Sequence, residues 1–87
     1  NFGRGAIVSG SSRGIGAATA RRLARDGFAV TVNYLTNADL AAQVVRDIEA
    51  AGGRAIARQA DVADPSAVRA LFDAHDEAFG GVDVVIS

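Results

Sequence analysis

The sequence predicts an α/β fold with a parallel sheet, because strand-like and helix-like segments alternate along its 87 residues. Four short apolar runs are separated by three longer segments in which apolar residues recur at helical spacing. Glycine follows each helical segment, where a left-handed residue commonly ends a helix. Strands that alternate with helices in this way are joined by crossover connections and therefore run parallel.

The first half of the chain contains the first two strands and the first helix. We expect a strand at Gly5–Ser9 and a helix at Gly14–Asp26, ended by Gly27. A second strand is expected at Phe28–Asn33. Thr36-Asn37-Ala38-Asp39 is typical of a capping box at the start of the next helix.

The second helix is expected to end at Gly52-Gly53, and its predicted buried stripe comprises Leu40, Val44, Ile48 and Ala51. A third strand follows at about Arg54–Ala60. Asp64 is placed to cap the third helix, with Pro65 at its first position. The predicted inward face of that helix comprises Val68, Leu71, Phe72, His75 and Phe79.

The last strand is expected at Val82–Ile86, after Gly80-Gly81. Because crossovers between parallel strands are right-handed, the strands should lie in the order 3-2-1-4, as in the first half of a doubly wound Rossmann sheet. His75 lies on the inward face of its helix, away from the strand ends that hold ligands. We therefore predict that His75 has a packing or half-exposed role and no catalytic one.

Composition excludes several classes of function. The net charge of −1 and the pI near 5.6 argue against a nucleic-acid partner or an anionic membrane. All nine basic residues are arginine. With no cysteine and one histidine, neither a thiolate nor a histidine-rich metal site is expected. The apolar runs are much shorter than the ~20 residues that span a membrane, so a cytoplasmic protein is expected.

The segment S-G-S-S-R-G-I-G at residues 9–16 joins the first strand to the first helix. Gly10 permits a tight bend, Gly14 permits close approach of a ligand, and Gly16 permits the helix to pack on the strand. The first N–H groups of a helix are unpaired and lie at its positive end. The segment therefore predicts a phosphate-binding turn, and the alternative is a strand-to-helix turn without a ligand.

The glycine spacing resembles the T-G-x-x-x-G-I-G turn of the short-chain dehydrogenase/reductase family, with Ser9 in place of threonine and Ile15 between the last two glycines. The likeness continues in N-Y at residues 33–34, in D-V at 61–62 and in F-G-G-V-D-V-V-I at 79–86. It implies that residues 1–87 are the first part of one dinucleotide-binding Rossmann domain, truncated after the fourth strand. We also expect the complete protein to be a homo-oligomer.

The residues after the glycine turn favour NADP(H) over NAD(H). An NAD site usually has a carboxylate about 20 residues after the turn, and this chain has Asn33 there. Asn33 does not repel a 2′-phosphate, and Arg13 offers a fork of donors to it. By resemblance, Arg13 stands where NADP-preferring members carry a basic residue, and Ser12 adds a hydroxyl. The alternative is that Arg13 is a solvated surface residue.

Two further segments resemble the adenosine-binding part of the family site. Asp61 and Val62 resemble the pair in which the carboxylate accepts from the adenine amine and the next backbone N–H donates to the ring. The alternative for Asp61 is a turn-forming role. Tyr34 either flanks the adenosine or covers the end of the sheet.

The resemblance implies reversible hydride transfer between a carbonyl and an alcohol by a serine, a tyrosine and a lysine four residues after that tyrosine. This chain has no lysine, and Ala38 stands four positions after its only tyrosine, Tyr34. We therefore expect the segment to bind the dinucleotide without catalysing turnover. The alternatives are a nucleotide-sensing module without catalysis and, less favoured, an S-adenosylmethionine-dependent transferase.

Overall fold

The protein is described by a computed structural model that covers residues 4–10 and 14–86. Its elements in chain order are β1 (Arg4–Val8), α1 (Gly14–Arg25), β2 (Phe28–Tyr34), α2 (Ala38–Ala50), β3 (Arg54–Gln59), α3 (Pro65–Phe79) and β4 (Val84–Ile86). The strands form one parallel sheet in the order β3-β2-β1-β4, which confirms the predicted topology. Most element ends coincide with the predicted ones or differ from them by a single residue.

The central strand β1 pairs on both sides, with β2 and with β4. Ala6 lies opposite Val30 on one side and opposite Val84 on the other. Gly5–Val8 is buried, as expected for a strand of a parallel sheet with helices on both faces. The apolar run that predicted this strand therefore reflects burial on both faces.

The helices lie on both faces of the sheet, and successive β1 side chains, which point to opposite sides, contact one layer each. Val8 packs in a core cluster with α1 and α2, together with Val30 of β2. Ile7 packs in a second cluster with Leu71 of α3. The sheet is thus the middle layer of three.

Of the two helix caps predicted from the sequence, the cap of α3 forms and that of α2 does not. Asp64 caps α3, and its Oδ1 accepts from the Ser66 N–H at 2.9 Å. The predicted capping box at residues 36–39 does not form, because α2 begins after Asn37 and Thr36 lies outside the helix. The N-cap position has no side-chain capping hydrogen bond, although the Asn37 carbonyl accepts the first intrahelical bond from Ala41.

The predicted buried stripe of α2 is wrong at its two ends. Val44 and Ile48 are buried as expected, but Ala41 takes the place of Leu40, which is exposed, and Ala51 is also exposed. Ala41, Val44 and Ile48 lie on one face at helical spacing. A small Ala41 side chain permits close approach to the sheet, whereas Leu40 would hold the helix further away.

A polar cluster connects α3 to the start of β1. Thr31 Oγ1 and His75 Nδ1 are 2.7 Å apart, and His75 is fully buried with its ring edge against Phe79. The Gly5 N–H donates to Asp83 Oδ2 at 2.8 Å, and the Gly5 carbonyl accepts from the Asp83 N–H at 2.8 Å. His75 thus packs in the core, one of its two predicted roles. The bonds of Asp83 to β1 explain why β4 begins at Val84, after the predicted Val82.

Burial lowers the pKa of His75, whereas the Gly81 backbone and the carboxylates of Asp76 and Asp83 act in the opposite direction. His75 Nε2 lies beside the Gly81 carbonyl oxygen but does not form a well-aligned hydrogen bond with any described residue. The neutral tautomer with hydrogen on Nε2 suits this arrangement, because Nδ1 then accepts from Thr31. The folded chain thus holds a neutral imidazole.

In residues 4–10 and 14–86, no helix combines the length and apolar character needed to cross a membrane.

Gly5→Ala should destabilise the fold. A Cβ at Gly5 would collide with the Gly81 carbonyl oxygen and with His75 Nε2. We expect a loss of about 1–3 kcal/mol in the free energy of unfolding, as for other overpacked core positions. Gly81→Ala is the control, because a Cβ there meets no described residue within 4 Å. Urea denaturation of both variants tests this, and equal stability would contradict the close packing.

Stability should fall as the solution becomes acidic through the ordinary pKa of histidine. Because the folded pKa of His75 is lowered, the unfolded chain takes up the proton first, and folding loses up to about 1.4 kcal/mol per pH unit below about 6.5. Above that pH the His75 contribution is complete and constant. Denaturation from pH 5 to 8 measures the slope.

The double variant Thr31→Val/His75→Leu is the control, because it removes the titrating ring without leaving an unpaired hydroxyl. Carboxylates titrate in both proteins, so the difference between their slopes isolates the histidine. The same pH dependence in both would show that His75 is not responsible.

Candidate functional site

The glycine turn lies where β1 ends and α1 begins. Gly10 and Gly14 have φ values of 65° and 51°, in the left-handed region that favours glycine. A Cβ at either residue would meet nothing within 4 Å of described protein. Both glycines therefore have a backbone conformation that favours glycine, and no described residue occupies the space beside their Cβ positions. Ser12 and Arg13 lie outside the described residues.

The first turn of α1 faces this space and contains no acidic residue, whereas its last turn contains Arg22 and Arg25. This distribution leaves the positive end of the helix dipole uncompensated at Gly14–Gly16 and favours an anion there. Ile15 is 87% exposed. The start of α1 thus has the polarity of an anion site and an exposed aliphatic side chain beside it.

A groove of about 170 Å³ lies at the carboxyl ends of β1, β2 and β3. The residues that line it are Ser9, Gly10, Asn33, Leu35, Ala60, Asp61 and Val62. Leu35 and Val62 are each 55% exposed. In doubly wound sheets, ligands bind at this edge. The groove therefore brings two accessible apolar side chains together with Asn33 and Asp61.

Asn33 lines the groove but is 2% exposed. Its Nδ2 donates to the Arg58 carbonyl at 3.3 Å and to the Ala60 carbonyl at 3.2 Å. Asn33 has no carboxylate that would repel a 2′-phosphate. However, its amide hydrogens are directed to the end of β3, which sequence reasoning did not anticipate.

Asp61 adopts the turn-forming role that was its alternative. Its Oδ1 accepts from the Ala63 N–H at 2.9 Å, and its carbonyl accepts from the Asp64 N–H at 2.9 Å. This turn leads into the cap of α3 and places Val62 at the groove. The bond to Ala63 uses one carboxylate oxygen and is compatible with a ligand contact at the other.

Tyr34 is half-buried and packs against the core cluster of α1 and α2. It is not among the residues that line the groove. Its carbonyl accepts from the Ala60 N–H at 3.0 Å and extends the pairing of β2 with β3. In this arrangement the side chain covers the end of the sheet, one of the two roles considered.

Sequence reasoning missed Leu35 and Gln59. Gln59 Nε2 donates to the Leu35 carbonyl at 3.0 Å, which connects the end of β3 to the segment after β2. The available signal was an apolar Leu35 immediately after a strand, in a segment that is otherwise polar. An unpartnered aliphatic residue at a ligand-binding edge is typical of a binding wall.

A larger groove, of about 460 Å³, lies between the carboxyl ends of α1 and α2. It is at the amino ends of β2 and β3, opposite the edge where α/β sheets bind ligands. Its Arg21 pairs with Asp47 at 2.8 Å, so the arginine charge is already compensated. Hydrogen bonds from Gln43 and Arg21 lower the pKa of Asp47 and keep it ionised. The strand-end groove is therefore the better candidate.

The family model for short chain dehydrogenases matches residues 4–87. The chain is 48% identical to 3β-hydroxysteroid dehydrogenase 1 of Eggerthella lenta over 98% of its own length and 33% of that protein. It is 47% identical to versicolorin reductase of Emericella nidulans, over 98% of the chain and 32% of that protein. The match therefore spans the chain but about a third of these relatives.

Solved structures show the same likeness. A dehydrogenase/reductase from Sinorhizobium meliloti superposes with a TM-score of 0.92 at 48% identity, over 95% of this chain and 33% of that one. A short-chain dehydrogenase from Burkholderia cenocepacia, solved in complex with NADP, superposes with a TM-score of 0.89 at 56% identity, over 94% and 34%. The chain belongs to the short-chain dehydrogenase/reductase family.

Proposed function

We propose that this chain supplies the NADP(H)-binding part of an oxidoreductase that interconverts a small-molecule carbonyl and an alcohol by hydride transfer. The observation that carries the proposal is the groove at the strand ends, whose lining includes Gly10 of the glycine turn. Family membership supports the reaction class. Because the chain spans about a third of its relatives, the activity belongs to the complete protein.

The described residues fit a dinucleotide. Gly10 and Gly14 leave open space beside the start of α1, which suits a pyrophosphate. Leu35 and Val62 are exposed aliphatic walls that suit a flat adenine ring. Asp61, beside Val62, would accept from the adenine amine through the carboxylate oxygen that is not bonded to Ala63. These residues would hold the adenosine half and the phosphates.

The preference for NADP(H) is proposed from charge. Asn33 carries no negative charge that would repel a 2′-phosphate, and Arg13 in the glycine turn carries a permanent positive charge. The NADP complex of the Burkholderia relative supports this choice of dinucleotide. When bound, NADP(H) donates or accepts the hydride. The residues of this chain bind the cofactor and keep the adenosine end in place.

The intact protein should bind NADPH at least about tenfold more tightly than NADH, which corresponds to about 1.4 kcal/mol. Arg13→Ala should remove most of this preference by weakening NADPH binding alone, since NADH lacks the 2′-phosphate. Ser12→Ala should have a smaller effect in the same direction. Fluorescence titration with both cofactors measures the change.

Arg25→Ala is the matched control, because it removes the same charge at the opposite end of α1. It should leave the ratio of the two affinities unchanged. Equal or tighter binding of NADH by the unmodified protein would contradict the proposed cofactor. An equal effect of both arginine variants would indicate a general charge effect.

Residues 1–87 alone should not oxidise NADPH with any carbonyl compound, because the segment has no lysine and no second tyrosine. Spectrophotometric assay of the purified segment beside the complete protein tests this. Carbonyl-dependent turnover by the segment would show that the catalytic groups are present in it. If the coding sequence past Ser87 lacks a Tyr-x-x-x-Lys motif, the nucleotide-sensing module becomes the better interpretation.

A further inference from the structure

Two amide side chains extend the contact between β2 and β3 beyond the last strand pair, Tyr34 with Gln59. Asn33 Nδ2 donates across to the Ala60 carbonyl at 3.2 Å and to the Arg58 carbonyl at 3.3 Å. Gln59 Nε2 donates in the opposite direction, to the Leu35 carbonyl at 3.0 Å. We refer to Asn33 and Gln59 together as the amide clamp.

Each amide of the clamp is bonded to the first residue that follows the neighbouring strand. Leu35, after β2, is held by Gln59 of β3, and Ala60, after β3, is held by Asn33 of β2. Ala60 is also fixed by its N–H bond to the Tyr34 carbonyl. Both tethered segments contribute a wall of the groove, because Leu35 is one wall and Val62 closely follows Ala60.

We infer that Asn33 and Gln59 are positioning residues that set the separation of Leu35 and Val62, and thereby the affinity for the adenosine half of the dinucleotide. This inference rests on the proposed function. The two hydrogens of the Asn33 amide are directed to protein carbonyls. Asn33 therefore acts on the ligand through Ala60 and the following turn, and Gln59 acts through Leu35.

The positioning role and a direct contact between Asn33 and the ribose predict different effects of Asn33→Asp on NADH binding. A carboxylate has no hydrogen to donate, so Asp would face the Arg58 and Ala60 carbonyls with acceptor against acceptor. Positioning therefore predicts weaker binding of NADH in the variant. Direct contact predicts tighter binding of NADH, since a carboxylate is the usual ribose ligand of NAD sites. The two interpretations therefore predict opposite changes in the affinity for NADH.

Gln59→Met tests the clamp at an exposed position, where the substitution disturbs no buried packing. We expect binding of NADPH, of NADH and of 2′,5′-ADP to weaken about two- to tenfold, the usual effect of one lost hydrogen bond. Binding of the reduced nicotinamide mononucleotide half should be unchanged. Weaker binding of the adenosine ligands with unchanged binding of the nicotinamide half would show that the Leu35 and Val62 walls have moved. A general loss of structure would weaken the binding of both.

Gln43→Met is the matched control. It makes the same substitution at an exposed glutamine of α2. It removes the bond of 2.8 Å that Gln43 donates to Asp47 and the bond of 2.9 Å that it accepts from Arg46, both away from the groove. Calorimetric titration of the intact protein and the three variants measures each affinity. The control should bind every ligand as the unmodified protein does.

The outcomes separate the inference from the function on which it rests. If the unmodified protein binds none of the adenosine ligands, the proposed function and the clamp both fail. If it binds them and Gln59→Met matches Gln43→Met, the clamp alone is wrong. Tighter NADH binding by Asn33→Asp would overturn the positioning role of Asn33. Weaker NADH binding, with the split in Gln59→Met, supports the clamp.

Discussion

The parallel pairing of β1 with strands on both sides is the constraint on which the rest of the structure depends. Since β1 pairs in parallel with β2 and β4, the carboxyl ends of the strands lie at one edge. The loops that follow them are therefore neighbours in space, although Gly10, Leu35 and Val62 are distant in sequence. A groove at that edge results from the strand arrangement and needs no direct bond between the loops.

The two edges of the sheet use polar groups differently. At the amino edge, Gly5, His75 and Asp83 are occupied by protein contacts that fix β1 and α3. At the carboxyl edge, the start of α1 and the walls of the groove are accessible. The first edge has little room for substitution, and the second has room for a ligand. This division agrees with the placement of binding residues on loops supported by a rigid sheet.

The fold could be predicted because its signals are local. Short stretches of sequence contain the apolar runs of the strands, the periodicity of the helices and the helix stop at Gly27. The right-handed crossovers then determine the strand order. The errors arose where tertiary contacts decide. Ala41 instead of Leu40 faces the sheet because a small side chain allows closer packing, and the capping box fails because α2 starts after Asn37.

The candidate site was predicted in the same uneven way. The glycine conformations follow from residue type, so Gly10 and Gly14 could be placed. The direction of the Asn33 amide could not, because it depends on the carbonyls of Arg58 and Ala60 on another strand. Tyr34 had two possible roles because strand alternation places it on the same face as Val30 and Val32 but does not show whether a ligand lies beside it. Such cross-strand contacts are not encoded by spacing.

The burial of His75 has a practical consequence for spectroscopy. It is the only histidine in residues 1–87, and its ring extends from α3 to β2, where it is bonded to Thr31. In a sample of this segment, the imidazole resonances would therefore arise from a single, solvent-shielded position. They would report whether α3 is docked on the sheet, without any introduced label and from the edge remote from the ligand groove.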